Sequence, residues 1–251
     1  MLVIVVAFAA FSGSVVQSMI GFAAGGVAVP ILLWYGVGGP EAIIFATSAA
    51  TVQAITGLIK DWQYRPPVRE FVLPIVLRYA FMPLGLLCLI WIDASGKTVM
   101  RQFVGGSLLV FIALMLIFRN GDKKRLHPFW TVGAFSSSGF FVGSIGIGGP
   151  PQALWTLAKG WTKETRGAFL YTTGLAMIPV QIAVFGVKFG DRILVPAGLG
   201  LLMSVIVVPV GTKLGYFIRN RIPERGSKIV VTVAIACIAL VSLLAPLISR
   251  T

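Results

Sequence analysis

The residues of this chain that could do chemistry gather around two glycine runs. Gly21, Gly25 and Gly26 interrupt the first apolar stretch, in the run Gly21-Phe22-Ala23-Ala24-Gly25-Gly26. Gly146, Gly148 and Gly149 interrupt another stretch near mid-chain, in Gly146-Ile147-Gly148-Gly149-Pro150. Glycine opens backbone conformations closed to other residues, and Pro150-Pro151 suit the start of a new helix. A helix that restarts at such a break points unpaired N–H groups and the positive end of its dipole into the gap. That is chemistry for holding an anion. Broken backbone at membrane depth persists only where protein buries it or a wet cavity receives it, so the same geometry calls for a cavity. The competing reading is close helix packing, which small residues four apart also serve.

Neutral polar side chains flank both breaks. Gln17 and Ser18 precede the first, and Gln152 follows the second. Thr47, Ser48, Thr51 and Gln53 stud the segment after the first break; Tyr171, Thr172, Thr173 and Gln181 stud its counterpart. Such donors suit an anion that must bind and then leave, although Ser and Thr also bond back to their own helix. Arg78 is the one charge well inside an apolar run. An intramembrane charge marks function by default, yet Arg78 lies near enough to the end of its run to snorkel to the surface. Both readings stay open. The candidate anion site is Gln17, Gly25, Gly26, Thr47, Ser48, Arg78, Gly148, Gly149, Gln152 and Thr172, with Gln17, Gln152, Thr47 and Thr172 foremost by position.

Other polar residues carry plainer expectations. Glu41 and Glu164 follow Gly36 and Gly160 and precede helices, where a carboxylate favours the helix N-terminus; gating or proton coupling is the alternative. His127 precedes Pro128 in a basic loop and is expected to be solvated. Cys88 and Cys237 lie in apolar segments without partners for a disulfide or a metal, and read as packing residues. No cofactor is called for. An enzyme would need paired carboxylates, histidines or a Ser/Lys dyad at membrane depth, and eight Asp+Glu and one His equip the chain poorly for it.

The elements that must position these residues are membrane helices. Hydrophobic residues make up 57% of the 251, charged ones 12%, and mean hydropathy is +0.93; no soluble domain has that composition. Nearly uncharged stretches cover 1–39, 42–59, 71–92, 102–118, 129–158, 167–187, 193–212 and 229–249, most of them long enough to span the hydrocarbon core. The first is read as a transmembrane segment and not a signal peptide, since no Lys or Arg precedes Lys60. The pattern is duplicated. Gly25 and Gly148, Gly36 and Gly160, Glu41 and Glu164, and the triplets Pro83-Leu84-Gly85 and Pro209-Val210-Gly211 recur at about half the chain length.

Charge sets the expected topology. If every apolar stretch simply crosses, ten Lys+Arg fall on one face and nine on the other, against the positive-inside rule. If the first segment of each half enters, breaks and returns, one face collects fourteen in the loops around Lys60–Arg69, Arg119–Arg125, Lys159–Arg166 and Arg219–Lys228, and the other keeps five. The expectation is an all-α integral membrane protein of two inverted repeats, each with a Gly-broken re-entrant first segment plus three transmembrane helices. The repeats cover 1–125 and 126–251 and together form one transport domain, with both termini on the face opposite the cytoplasm. Paired inverted halves with broken helices point to a secondary transporter. The net charge of +13 is spread over short loops, so lipid headgroups and topology account for it better than nucleic acid does.

The run Gly21–Gly26 into an apolar stretch, then Gly36 and Ala46-Thr47-Ser48, repeated from Gly146–Pro150 onward, resembles the sulfite exporter TauE/SafE family of membrane permeases. The resemblance covers nearly the whole chain, including the duplication. It implies transport of small sulfur-containing or organic anions such as sulfite, sulfonates or sulfoacetate across the bacterial inner (cytoplasmic) membrane. Pro150-Pro151-Gln152 stands where the family usually has a more apolar run, a departure that bears on substrate. An anion channel and a permease for a non-sulfur carboxylate are the alternatives, and the sequence leaves open whether the chain forms a homodimer.

Overall fold

The computed structural model describes residues 1–21, 24–117, 127–222 and 224–248. The basic loop with Arg119, Lys123, Lys124 and Arg125, and with it the boundary between the halves, lies outside the described residues, as do Phe22, Ala23 and Arg250. Among the described residues the secondary structure is helical throughout. The helices are α1 (Leu2–Ile20), α2 (Ala24–Trp34), α3 (Gly39–Asp61), α4 (Arg69–Ala94), α5 (Lys97–Ile117), α6 (Pro128–Ile145), α7 (Gly149–Ala158), α8 (Lys163–Phe189), α9 (Asp191–Arg221) and α10 (Glu224–Ile248).

α1, α3, α4, α5, α8 and α9 are long and apolar enough to cross a membrane, and α2 and part of α10 are shorter apolar helices. Their outward residues are apolar too: Val72, Val76, Leu87, Leu202, Val205 and Ile206 are all more than half exposed. A belt of that size needs lipid around it. The protein is an all-α multi-pass membrane protein.

Each glycine run breaks a helix where expected. α1 ends at Gly21, whose φ of 90° is open chiefly to glycine. α6 ends the same way at Gly146, with φ 71°. After each break a short helix packs back along the one before it, α2 on α1 and α7 on α6. The two arms are unequal. α1 has 19 residues, about 28 Å at 1.5 Å per residue, while α2 has 11 and α7 has 10. α2 is enclosed on nearly every face, with Val29 fully buried and Leu32 at 1%.

The halves interlock. α4 packs along α6 and α1 along α9; α5 meets α10 and α3 meets α8. Glycines set the first two seams. A Cβ on Gly85 of α4 would strike the backbone of Phe140 on α6, and one on Gly211 of α9 would strike Phe11 of α1. The echo between Pro83-Leu84-Gly85 and Pro209-Val210-Gly211 thus marks matched close approaches of helix backbones. Ser14 sits at Gly211 and Ser18 at Gly215, so α1 and α9 run in the same direction; Arg78 sits at Gly139 and Met82 at Gly143, so α4 and α6 do too.

The short helices finish at different ends of the bundle. Past the end of α2, the Gly36 carbonyl accepts from Lys97 at the start of α5 (2.8 Å). Nearby, Arg192 pairs with Glu41 (2.8 Å) and Asp93 (3.2 Å). α7 finishes where Lys159 pairs with Glu70 at the start of α4 (3.0 Å). Glu70 and Asp93 stand at the two ends of one helix, so these ion pairs cap opposite ends. Glu41 keeps the first turn of α3, but its carboxylate goes to Arg192 and not to a cap. His127 is exposed, in line with its solvated reading, and its Nδ1 also accepts from the Phe129 N–H and caps α6. Cys88 is half-buried and Cys237 faces outward, both free thiols.

Candidate functional site

The two breaks meet inside the bundle. A Cβ built on Gly25, at the start of α2, would lie 3.0 Å from the Gly146 carbonyl and 3.3 Å from Ile147 Cγ1. Side chains tie each break down. The Ala24 N–H donates to Gln17 Oε1 at 3.2 Å. The Gly148 carbonyl accepts from Ser138 Oγ at 2.7 Å and from Gln152 Nε2 at 2.9 Å. Gln152 Oε1 in turn accepts from Thr173 Oγ1 at 2.8 Å. Gln17 and Gln152 therefore act on the backbone of their own breaks, holding α2 and α7 in place.

Beside the meeting point lies a cavity of about 140 Å³, lined from both halves. Gln17, Gly25, Thr47, Arg78, Gly148, Gly149 and Gln152 all line it, seven of the ten residues put forward from sequence. Arg78 lies in the interior and does not snorkel to the surface. It is 2% exposed, it lines the cavity, and its Nη1 donates to the Thr173 carbonyl at 2.6 Å. Its Nε, equally buried, has no partner. Gly139 lets α6 press against the Arg78 backbone, which seats this residue deep in the bundle rather than near its surface.

Three candidates stand apart. Ser48 donates to the Ile44 carbonyl at 3.0 Å and to the Ala197 carbonyl at 3.4 Å, joining α3 to α9. Thr172 bonds back to the Ala168 carbonyl at 2.8 Å. Gly26 is buried within α2, away from the cavity lining. For Ser48 and Thr172 the local back-bond is the geometry adopted. Gln53 lies at the α1–α3–α9 junction and donates to the Ser14 carbonyl (3.0 Å) and Ser18 Oγ (3.1 Å).

The cavity also takes in residues outside those ten, among them Tyr171 and Gln181, which the sequence shows only as polar residues along the second half. Gln181 Oε1 accepts from Thr47 Oγ1 at 3.4 Å, and its buried Nε2 has no partner. Tyr171, Gly174, Met177, Ile178 and Gln181 line one wall. Their spacing of three and four along α8 is that of a single helix face, and it was the signal available for finding them. Tyr171 fits against Gly57 of α3, where a Cβ would collide with its ring.

A guanidinium-bearing residue and neutral amides and hydroxyls line the cavity, a set that suits a small anion. Two nitrogens of these side chains, Arg78 Nε and Gln181 Nε2, are buried without a protein partner, which carries a desolvation cost. The helix termini contribute less than two intact N-termini would, because the Ala24 N–H is already taken and Pro150 and Pro151 have no N–H to give. Among the described residues no group of His, Cys, Asp and Glu could hold a metal ion.

Long apolar helices enclosing two broken, back-folded segments, with an arginine at their junction, define a polytopic membrane protein with a polar interior. Residues 5–242 match the model of the family described as sulfite exporter TauE/SafE, and the chain belongs to that family of membrane transporters. No curated protein and no solved structure matches the chain.

Proposed function

We propose that this protein is a secondary transporter that moves a small sulfur-containing or organic anion, such as sulfite or a sulfonate, across the cytoplasmic membrane. Its substrate site is the cavity between the two breaks. The observation that carries this reading is Arg78: a buried arginine that lines a cavity of small-anion size. A permanent charge held in the interior of a membrane protein is expensive unless something pairs with it, and here the missing partner is the substrate.

Transport by alternating access needs two bodies that move around a fixed site, and the two repeats, 1–125 and 126–251, supply them as inverted copies. One observation supports the repeat and a second supports its inversion. Every major helix pairing recurs when the halves are exchanged: α4 on α6 matches α9 on α1, and α3 on α9 matches α8 on α4. The short arms also finish at opposite ends of the bundle, α2 beside Lys97 and α7 beside Glu70. Both hairpins are then re-entrant, entering from opposite faces.

The test is transport and binding measured together. Protein reconstituted in vesicles should show saturable flux of sulfite or a small sulfonate with counterflow, and Arg78→Gln should lose flux while the protein remains folded. Flux that is linear in concentration and lacks counterflow would assign the protein to channels. Saturable flux of a small carboxylate with no response to sulfur anions would move the substrate class and leave the site.

A further inference from the structure

We infer that the cavity selects by charge as well as by size: it accepts a compact monoanion and rejects a dianion of the same shape. This rests on the reading of the cavity as the substrate site. Among the described residues that line it, Arg78 is the one with a formal charge. The remainder are glycines, apolar residues and the neutral side chains of Gln17, Thr47, Gln152, Tyr171 and Gln181.

A dianion would need a second positive element, and the helix ends do not provide it. Each break places a helix C-terminus beside a helix N-terminus, Gly21 beside Ala24 and Gly146 beside Gly149. Their half-charges are of opposite sign and largely cancel at the cavity. The Gly146 carbonyl also stands against Gly25, placing a negative dipole end at the start of α2. Past Tyr171, the cation Arg219 is offset by Asp61.

The balance then follows from how each term scales. The cost of taking an ion out of water grows with the square of its charge, whereas its attraction to a single guanidinium grows only in proportion. A monoanion makes a neutral pair with Arg78. A dianion leaves one charge uncompensated in the cavity. For an acid with two ionisations near neutrality, the singly protonated form is the transported one.

Methanesulfonate and sulfate make the decisive pair, because they share a tetrahedral shape and the same number of heavy atoms and differ in charge. Titration calorimetry on the purified full-length protein in detergent should give methanesulfonate at least about tenfold the affinity of sulfate. Arg78→Lys, which keeps the charge, should preserve that order; Arg78→Gln should lose methanesulfonate binding. Sulfate binding as tightly as methanesulfonate overturns the inference while leaving the cavity as an anion site. Binding of neither anion to protein that still melts cooperatively overturns the site reading itself. A preference unchanged in Arg78→Gln overturns the role given to Arg78, and if that variant does not fold, the wild-type comparison still decides.

Discussion

Gly25 is where the two breaks meet, and a single methyl group there tests the arrangement. Alanine at this position places Cβ 3.0 Å from the Gly146 carbonyl oxygen and 3.3 Å from Ile147 Cγ1. A relaxed carbon–oxygen contact is about 3.3–3.6 Å, so the tips must separate by roughly 0.3–0.6 Å. The obstacle is backbone, which cannot rotate aside as a flexible side chain would. Overpacking of this kind costs about 1 kcal/mol for alanine and about 2–3 kcal/mol for valine. The same displacement moves Gly25 and Gly146 within the cavity lining, so affinity should fall by about tenfold, the factor carried by 1.4 kcal/mol. Gly148→Ala should cost more, because its Cβ would stand 2.7 Å from the Ser138 carbonyl and 3.0 Å from Ser138 Oγ, the hydroxyl that donates to the Gly148 carbonyl. Gly133→Ala on α6 is the control, since its Cβ enters open space, and by helix propensity it should be neutral or stabilising by up to about 1 kcal/mol. Thermal melting in detergent reads the first quantity and calorimetry with methanesulfonate the second. Wild-type melting and wild-type affinity in Gly25→Val would refute the claim that the two breaks meet and shape the site.

Further expectations follow from the same contacts. Gly57→Ala should drive the Tyr171 ring out of its seat on α3, altering flux with a loss of stability of about 1–3 kcal/mol; unchanged flux would mean Tyr171 does not bear on the pathway. Thr47→Val should weaken anion binding, since Thr47 orients Gln181, whereas Thr172→Ala, which removes only a back-bond, should leave binding within about twofold. Glu41→Gln should cost less than about 1 kcal/mol in melting experiments and lose even that in high salt, because the Arg192 pair is substantially exposed (50% for Arg192). In a background with Cys88 and Cys237 replaced by alanine, Lys97→Cys and Lys159→Cys should react with an impermeant thiol reagent from opposite sides of the membrane; labelling from one side would make the repeats parallel.

The scaffold was readable because its determinants are local or repeated. Gly21 and Gly146 end their helices with positive φ, and glycine announces that conformation in any context. The duplication was visible in matched triplets whose glycines turn out to set matched helix contacts. The site was readable in part. Residues adjoining a break, such as Gln17 and Gln152, had few other places to go. Ser48 and Thr172 were ambiguous because each has an acceptor four residues back in its own helix, and a period of 3.6 does not say which face of α3 or α8 looks inward. Arg78 could not be resolved from its depth in the sequence alone. What settles it is Gly139, on another helix and 61 residues away, which admits α6 close against the Arg78 backbone.

The duplication repeats the scaffold and not the chemistry. The offset that aligns Pro83 and Gly85 with Pro209 and Gly211 aligns Arg78 with Ser204. Ser204 is 1% exposed and its hydroxyl has no partner, so both positions look into the protein interior, but one carries a charge and the other a small neutral group. The breaks differ in the same sense. α2 begins with Ala24, Gly25 and Gly26, all of which have N–H groups, while α7 has Pro150 and Pro151 in its first turn. A symmetric cage would surround its ligand with two equivalent positive elements and hold a dianion best. Here one half supplies the charge, through Arg78 on α4, and the other supplies much of the neutral wall, through Gln152, Tyr171 and Gln181. Motion of one half against the other would then change the distance between the charge and the wall that completes its coordination. On the proposed transport reading, a bound anion would then have a different affinity in each conformation, and a ligand can bias a conformational equilibrium only through such a difference.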